Sequence, residues 1–155
     1  MPDDLYWKDI VGWSDAQADG LRRLARGERV NDLDWENLIE EVESVGRSEL
    51  KSARSLLRRA LEHAIKIHCW PGQPAVRHWR AEARVFLTDA RDRMDPGMVH
   101  RLDVAAILAE ALDDVREAEL PPPERSLPTG ITLGAREVRE TRLSLDDLLA
   151  RFTSP

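Results

Sequence analysis

Residues 35–69 read WENLIEEVESVGRSELKSARSLLRRALEHAIKIHC. At 100° per residue, the apolar side chains of this segment recur every three or four positions and fall on or near one arc of a helix. The arc consists of Trp35, Leu38, Ile39, Val42, Val45, Leu50, Ala53, Leu56, Leu57, Ala60, Leu61, Ala64 and Ile67. Its phase continues past Gly46, which predicts either one long helix over about 34–69 or two nearly collinear helices. We expect the whole arc to be buried.

Gly46 lies on this apolar arc, where it costs about 1 kcal/mol relative to alanine. A glycine on a buried helix face is compensated when another helix packs closely against it, so we expect such a close approach at Gly46. A local bend of the helix is the alternative. A straight helix over this range would be roughly 50 Å long at 1.5 Å per residue. Such a length is large for a 155-residue chain, so a kink is favoured.

Further amphipathic segments predict an all-α, irregular helical bundle around the long central helix. Ser14 is the expected N-cap of a first helix ending at Gly27, and Asp34 that of the long helix. Helices are also predicted over 75–94, 98–119, 135–142 and 145–152, with Ser144 capping the last. We expect residues 1–120 to form the bundle domain. Residues 121–155 are then a Pro-rich linker and a C-terminal arm packed on the same domain.

The charge is unevenly distributed along a chain whose net charge is −6. Residues 47–93 contain eleven Lys/Arg and five Asp/Glu, whereas residues 28–44 contain one Arg and seven acidic residues. An acidic total disfavours bulk attraction to nucleic acid or to an anionic membrane. The asymmetry favours pairing with a complementary protein or with a second copy.

The cellular compartment follows from what the sequence lacks. Cys69 is the only cysteine, so no disulfide can form within the chain. The N-terminal residues lack the apolar core of a secretory signal, and no apolar run approaches the roughly 18 residues of a membrane span. We therefore expect a cytoplasmic protein without a membrane partner.

The N-terminal third carries a distinctive set of residues. It comprises Trp13, Gln17, Leu33-Asp34, Glu36-Asn37-Leu38, Glu40-Glu41, Glu43, Gly46 and Glu49, followed later by His63 to Lys66, Gln73-Pro74 and Trp79-Arg80. Over roughly residues 5–120 this pattern resembles the bacterial family catalogued as domain of unknown function 29. The resemblance implies a small all-α fold and brings no reaction, ligand or catalytic residue with it.

Acidic and histidine side chains are the first candidates for a chemical site. Glu36, Glu40 and Glu43 share a helix face that could bind a divalent metal, but no histidine follows a glutamate by three positions. A solvated acidic face is therefore favoured, and neither a metal nor a cofactor is predicted. If a polar site exists, Glu41, His63 and Lys66 are best placed to converge on it. The alternative for His63 is a partly buried, hydrogen-bonded core residue.

Cys69 next to His68 does not form a convincing nucleophile and base. Adjacent helical residues point about 100° apart, so a semi-buried structural thiol is favoured.

Two basic stripes are the most regular surface feature. They are formed by Arg47, Lys51, Arg54 and Arg58, and by Arg77, Arg80, Arg84 and Arg91. Such rows can contact phosphates. They can also pair with the acidic helix near residues 103–119 or with a second subunit, and the acidic total favours pairing.

The leading hypothesis is a non-enzymatic helical module that binds a protein partner or itself. The alternatives are a nucleic-acid or nucleoprotein accessory that uses the basic stripes, and an enzyme or metal-binding protein of unknown type.

Overall fold

The computed structural model describes the backbone of residues 2–153 and the side chains of residues 5–153. The described chain is all-α and contains no strand. Its helices are α1 (Pro2–Lys8), α2 (Ile10–Ala25), α3 (Trp35–Cys69), α4 (Val76–Arg93), α5 (Val104–Glu117), α6 (Ala135–Glu140) and α7 (Leu145–Thr153). Two compact units are present, one of residues 1–47 and one of residues 48–155.

In the N-terminal unit, the helix that precedes α3 begins earlier than predicted. The Oδ1 atom of Asp9 accepts a hydrogen bond from the Gly12 amide at 2.9 Å and caps α2. Ser14 therefore lies inside this helix, and its predicted role as N-cap is wrong. The end of the helix is followed by Gly27 at φ 84°, a backbone angle that favours glycine.

The long helix α3 is continuous from Trp35 to Cys69, as its unbroken apolar phase predicted. The alternative of two collinear helices is therefore wrong. Asp34 caps α3 as expected, since its Oδ1 accepts from the Asn37 amide at 3.3 Å. A Cβ atom built on Gly46 would meet no atom within 4 Å, so no helix in the described part of the chain approaches it closely. The predicted close approach is wrong, and the bend stays a prediction.

The C-terminal unit contains the main hydrophobic core. Most of the second half of the α3 arc is buried as predicted, with Ala53, Leu57, Leu61 and Ala64 fully enclosed, whereas Leu50 and Leu56 are partly buried. The core also takes side chains from α4 and α5, and from the chain beyond residue 130. Burial of this apolar surface is the main force that stabilises the unit.

The predicted helix over 98–119 is interrupted near its start. A short 3₁₀ turn, Met98–His100, precedes α5, and Asp103 Oδ1 caps α5 by accepting from the Ala106 amide at 3.1 Å. The capping aspartate restarts the helix, so the prediction of one uninterrupted helix is wrong.

The segment after α5 crosses the C-terminal end of α3. Trp70 Nε1 donates to the Pro121 carbonyl at 2.8 Å, and the amides of Glu124 and Arg125 donate to the carbonyl of Cys69. These bonds satisfy groups that a helix end would otherwise leave unpaired. Further along, α7 opens with a reciprocal capping box in which Ser144 Oγ accepts from the Asp147 amide at 3.0 Å.

Within the described residues, no helix is long and apolar enough to cross a membrane.

Candidate functional site

Large hydrophobic side chains are exposed almost entirely in the N-terminal unit. Of the eleven such side chains in the described part of the chain, ten lie within residues 5–45 and the other is Val85. The ten are Leu5, Trp7, Ile10, Val11, Leu21, Leu24, Trp35, Ile39, Val42 and Val45. The N-terminal unit therefore carries an apolar surface that its own residues do not cover.

The first part of α3 contributes the most regular portion of this surface. Trp35 is 53% exposed and Val42 is 74% exposed, although both lie on the arc that the periodicity predicts to be buried. The expectation of burial is wrong for Trp35, Ile39, Val42 and Val45. Periodicity identifies an apolar face, but it does not say whether the same chain covers that face.

A shallow groove of about 260 Å³ runs between α2 and the start of α3. Its walls include Ala18 and Leu21 from α2, and Val42 and Val45 from α3, with Glu41 among them. We call this groove, together with the exposed side chains Leu24, Trp35 and Ile39, the apolar face. An apolar helix of another molecule could lie in such a groove.

A buried polar network holds the two helices that form the groove. Asp34 Oδ2 accepts hydrogen bonds from Trp13 Nε1 at 3.0 Å and from Asn37 Nδ2 at 2.7 Å. The Asp34 amide donates to Gln17 Oε1 at 2.7 Å. The hydrogen bond from the Asn37 side chain, assisted by that from Trp13, holds the pKa of Asp34 below its ordinary value against the effect of burial.

Close backbone packing adds to this network at Gly20. A Cβ atom there would lie 2.7 Å from Leu33 Cδ2, so only glycine allows α2 to pack this closely on Leu33. The apolar face therefore rests on a well-defined scaffold.

Glu41, the first member of the predicted polar cluster, has a partner within the N-terminal unit. The hydroxyl of Tyr6 donates to Glu41 Oε1 at 2.5 Å. This hydrogen bond, followed by burial, raises the pKa of Tyr6. The ring of Tyr6 also packs edge-on against Trp13, with 4.9 Å between the ring centroids.

His63 and Lys66, the other members of that cluster, have different partners in the C-terminal unit. His63 Nε2 lies 2.7 Å from Glu82 Oε2, and its Nδ1 lies 2.9 Å from the Arg59 carbonyl. Lys66 Nζ donates to Glu62 Oε1 at 2.6 Å. The three predicted residues are thus each engaged separately. His63, whose side chain is 12% exposed, has the environment of a hydrogen-bonded core histidine.

Cys69 is fully buried, and desolvation raises the pKa of its thiol. Burial has the opposite effect on the neighbouring His68, because it lowers the pKa of the imidazole. A backbone hydrogen bond at Ser126 raises this pKa, and the nearby charge of Arg125 lowers it further. A thiol with a raised pKa is a poor nucleophile, which fits the interpretation of Cys69 as a structural residue.

The acidic face of α3 is partly neutralised by one arginine. Arg47 lies 2.7 Å from a Glu40 oxygen and 3.5 Å from a Glu43 oxygen, both at exposed positions. No group of three or more His, Cys, Asp or Glu side chains with the arrangement of a metal site occurs among the described residues.

Two members of the first basic stripe pair with α5. Arg58 donates through Nε and a terminal nitrogen to the two carboxylate oxygens of Asp114, both at 2.6 Å. Its other terminal nitrogen bonds Glu110 at 2.9 Å, and Arg54 also contacts Glu110. Lys51 of the same stripe is exposed. Pairing with the acidic helix accounts for Arg54 and Arg58 within the fold.

The second basic stripe lies on α4, and fewer of its arginines form ion pairs. Arg80 pairs with Asp146, whereas Arg77, Arg84 and Arg91 form no ion pair with a described carboxylate. These three arginines are therefore not neutralised by a described carboxylate.

The helices and the residues that join them match a known family. A family model described as "Domain of unknown function DUF29" matches residues 5–138. The chain belongs to the DUF29 family. The match extends beyond residue 120, where the sequence resemblance was expected to end.

A solved structure similar to this DUF29 chain is the crystal structure of an alpha-helical protein of unknown function from Rhodospirillum rubrum. The two share 33% sequence identity over 97% of this chain and 98% of the other, with a TM-score of 0.66. No curated protein matches the chain significantly. These similarities support the all-α fold and assign no activity to it.

Four of the residues that carried the DUF29 resemblance build the scaffold. Trp13, Gln17, Asp34 and Asn37 form the buried polar network beneath the apolar face. Tyr6 was not predicted as part of the site, because it lies in a helix that no apolar periodicity indicated. The exposure of the apolar face was not predicted either, although the cluster of apolar residues between positions 5 and 45 was an available signal.

Proposed function

We propose that this DUF29 chain is a non-enzymatic protein-interaction module whose apolar face binds a basic, amphipathic helix of a partner protein. The observation that carries the proposal is the concentration of exposed large hydrophobic side chains in residues 5–45. Folded proteins seldom leave contiguous apolar surface uncovered unless another molecule binds it.

The charge of the N-terminal unit favours a basic partner over a second copy. Residues 1–47 contain twelve acidic and six basic residues, whereas residues 48–155 contain seventeen of each. The net charge of the chain, −6, is therefore that of its N-terminal unit. Two copies that meet through this unit would repel each other, while a helix with Lys or Arg beside its apolar stripe would be attracted.

The groove has the form that an amphipathic helix requires. Two helices provide its walls, and apolar side chains recur along α3 at Trp35, Ile39 and Val42 with the spacing of successive turns. The network around Asp34 fixes these walls before binding. A preformed groove reduces the entropy lost when a partner binds.

The apolar contribution to binding is moderate. Leu21, Leu24, Trp35, Ile39, Val42 and Val45 are between 39% and 74% exposed, so burying one contributes about 1 kcal/mol and all six about 6 kcal/mol. Association itself costs roughly 4–15 kcal/mol in lost freedom of motion. Contacts between opposite charges are therefore needed as well, and the complex is expected to weaken as salt increases.

The proposed setting is the bacterial cytoplasm. The single cysteine supports a reducing compartment, because a chain with one thiol gains no stability from an oxidising one.

The proposal is tested with two synthetic 18-residue helices that share a leucine face and carry either lysines or glutamates on the opposite face. Binding is measured by fluorescence anisotropy against the full chain and against Val42→Glu. We expect the lysine helix to bind at least tenfold more tightly than the glutamate helix, and Val42→Glu to weaken its binding at least tenfold.

Val85→Glu is the matched control, because Val85 is an exposed helical valine outside the N-terminal unit. It should bind like the unmodified chain. Equal binding of both helices, or equal losses in the two valine variants, would refute the proposal. So would sedimentation showing a dimer that Val42→Glu dissociates, since the occupant of the face would then be a second copy.

A further inference from the structure

A second feature of the C-terminal unit is independent of the apolar face. Arg84 and Arg91 on α4, and Arg142 between α6 and α7, line one open cleft of about 280 Å³. The two α4 arginines are seven residues apart, which places them on the same side of the helix about 10 Å apart along its axis. Arg142 lies across the cleft, on the loop before α7.

None of these three arginines forms an ion pair with a described carboxylate. Asp146 also lines the cleft, but its carboxylate is engaged by Arg80. The hydroxyl-bearing residues Thr88 and Ser144 complete the polar part of the wall. The cleft therefore presents three unneutralised guanidinium groups, which is the chemistry that binds oxyanions.

Arg91 supplies an observation that a merely basic surface would not. Its Nε atom is buried and is the one buried side-chain nitrogen or oxygen in the described residues that lacks a hydrogen-bond partner. One terminal nitrogen of the same guanidinium donates to the Leu143 carbonyl at 3.4 Å and holds the group at the cleft. A buried donor without an acceptor is costly, so the guanidinium of Arg91 is incompletely paired within the fold.

The backbone at Arg142 gives a further indication. Arg142 has a φ angle of 51°, the only positive φ of a non-glycine residue in the described chain. This left-handed conformation directly follows the C-cap of α6, where it ends the helix, although it is less favourable for arginine than for glycine. Here it occurs at the residue that brings the third guanidinium to the cleft.

We infer that Arg84, Arg91 and Arg142 form a binding site for a phosphate group, either inorganic phosphate or the phosphoryl group of a small phosphomonoester. In this site the phosphate oxygens would accept hydrogen bonds from the terminal guanidinium nitrogens of Arg84, Arg91 and Arg142. The small volume of the cleft favours a single phosphoryl group over a polymer. The inference does not depend on the proposed partner of the apolar face.

The test is isothermal titration of the full chain with inorganic phosphate and, separately, with glycerol 3-phosphate, at constant ionic strength. The two titrations distinguish a site for the free ion from a site for a phosphomonoester. We expect saturable binding that weakens about tenfold or more in Arg84→Gln and in Arg142→Gln, since each loses one charged hydrogen-bond donor. Both residues are exposed, so the variants should fold.

Arg77→Gln is the matched control, because Arg77 is exposed on the same helix and does not line the cleft. It should bind phosphate like the unmodified chain. Arg91→Lys keeps the charge but removes the planar guanidinium, and it should also weaken binding. A circular dichroism melt establishes that each variant is folded.

Two results would overturn the inference. One is the absence of saturable binding of either phosphate compound. The other is binding of a single-stranded 20-nucleotide DNA that decreases equally in Arg77→Gln and Arg84→Gln, because the basic stripe would then act as a diffuse nucleic-acid surface rather than through the cleft.

Discussion

At the scale of single residues, Asp34 connects the DUF29 sequence pattern to the shape of the N-terminal unit. Its carboxylate caps α3 and accepts from Trp13 and Asn37, and its amide reaches Gln17 on α2. The capping role could be predicted from sequence, because an aspartate before an apolar periodic segment is a common helix start. The contacts with Trp13 and Gln17 could not, since they depend on how two helices pack.

Replacing Asp34 with asparagine tests this network. Asparagine offers one acceptor oxygen where the carboxylate has two, so a buried donor loses its partner. We expect the free energy of unfolding at pH 7 to fall by about 1–3 kcal/mol. Urea titration followed by circular dichroism measures the change, and Asp32→Asn, at an exposed neighbouring position, should change stability little.

The pH dependence gives this prediction a second readout. The pKa of Asp34 is lower in the folded chain than in the unfolded one, so the folded chain binds fewer protons. Its stabilising contribution is therefore complete above the unfolded pKa, about 4, and is lost as the pH falls through the folded pKa. The stability difference between the unmodified chain and Asp34→Asn should narrow over that range. A constant difference would contradict the assigned role.

At the scale of helices, two glycines in helical segments have opposite surroundings. Gly46 on α3 leaves open space, whereas Gly20 on α2 lies against Leu33. Gly46→Ala should raise the free energy of unfolding by about 0.5–1 kcal/mol, because alanine favours a helix and meets no obstacle. Gly20→Ala should lower it, because its methyl group would collide with Leu33.

The free energies of unfolding of the two glycine variants, measured by thermal and urea unfolding, test this prediction. Destabilisation by Gly46→Ala would mean that another molecule, or a bent helix, occupies the space next to it. In the first case the neighbour of Gly46 would belong to another molecule rather than to the described chain.

The helices differ in how far sequence could predict them. The extent of α3 follows from its long apolar phase, and the burial of Ala53 to Ile67 follows from the same pattern. The start of α2 was missed because Asp9 provides a cap five residues before Ser14. The break before α5 was missed because Asp103 caps a new helix inside a segment whose apolar spacing continues.

At the scale of the whole molecule, the two units differ in the amount of buried surface. The C-terminal unit contains one large cluster of buried apolar side chains, whereas few residues beyond Trp13, Gln17, Leu33 and Asp34 are buried in the N-terminal unit. Local stability rises with buried contacts. The N-terminal unit is therefore expected to open at a lower free energy.

Hydrogen exchange can test this difference within a single helix. Amides of residues 38–45 in α3 should exchange faster than those of residues 57–65, although all of them belong to one continuous helix. Residues 38–45 should become more protected when the lysine helix binds the apolar face. Uniform protection along α3 would contradict the expected gradient.

Sequence could establish the fold class but not the candidate sites. The exposure of the apolar face could not be predicted, because an exposed and a buried apolar helix face have the same periodic pattern. The proposed phosphate cleft joins Arg142 to arginines more than fifty residues earlier in the chain, and the buried donor at Arg91 and the positive φ of Arg142 depend on the folded chain. Local patterns report which side chains share a helix face, whereas a site depends on which faces meet.

The enclosed position of Cys69 has a practical consequence for spectroscopy. Maleimide and nitroxide reagents need an accessible thiolate, and the only native sulfhydryl is both covered and hard to ionise. A cysteine introduced on either unit would thus be modified selectively without first removing the native one. Pairs of such labels could report directly on the distance between the two halves of the molecule in solution.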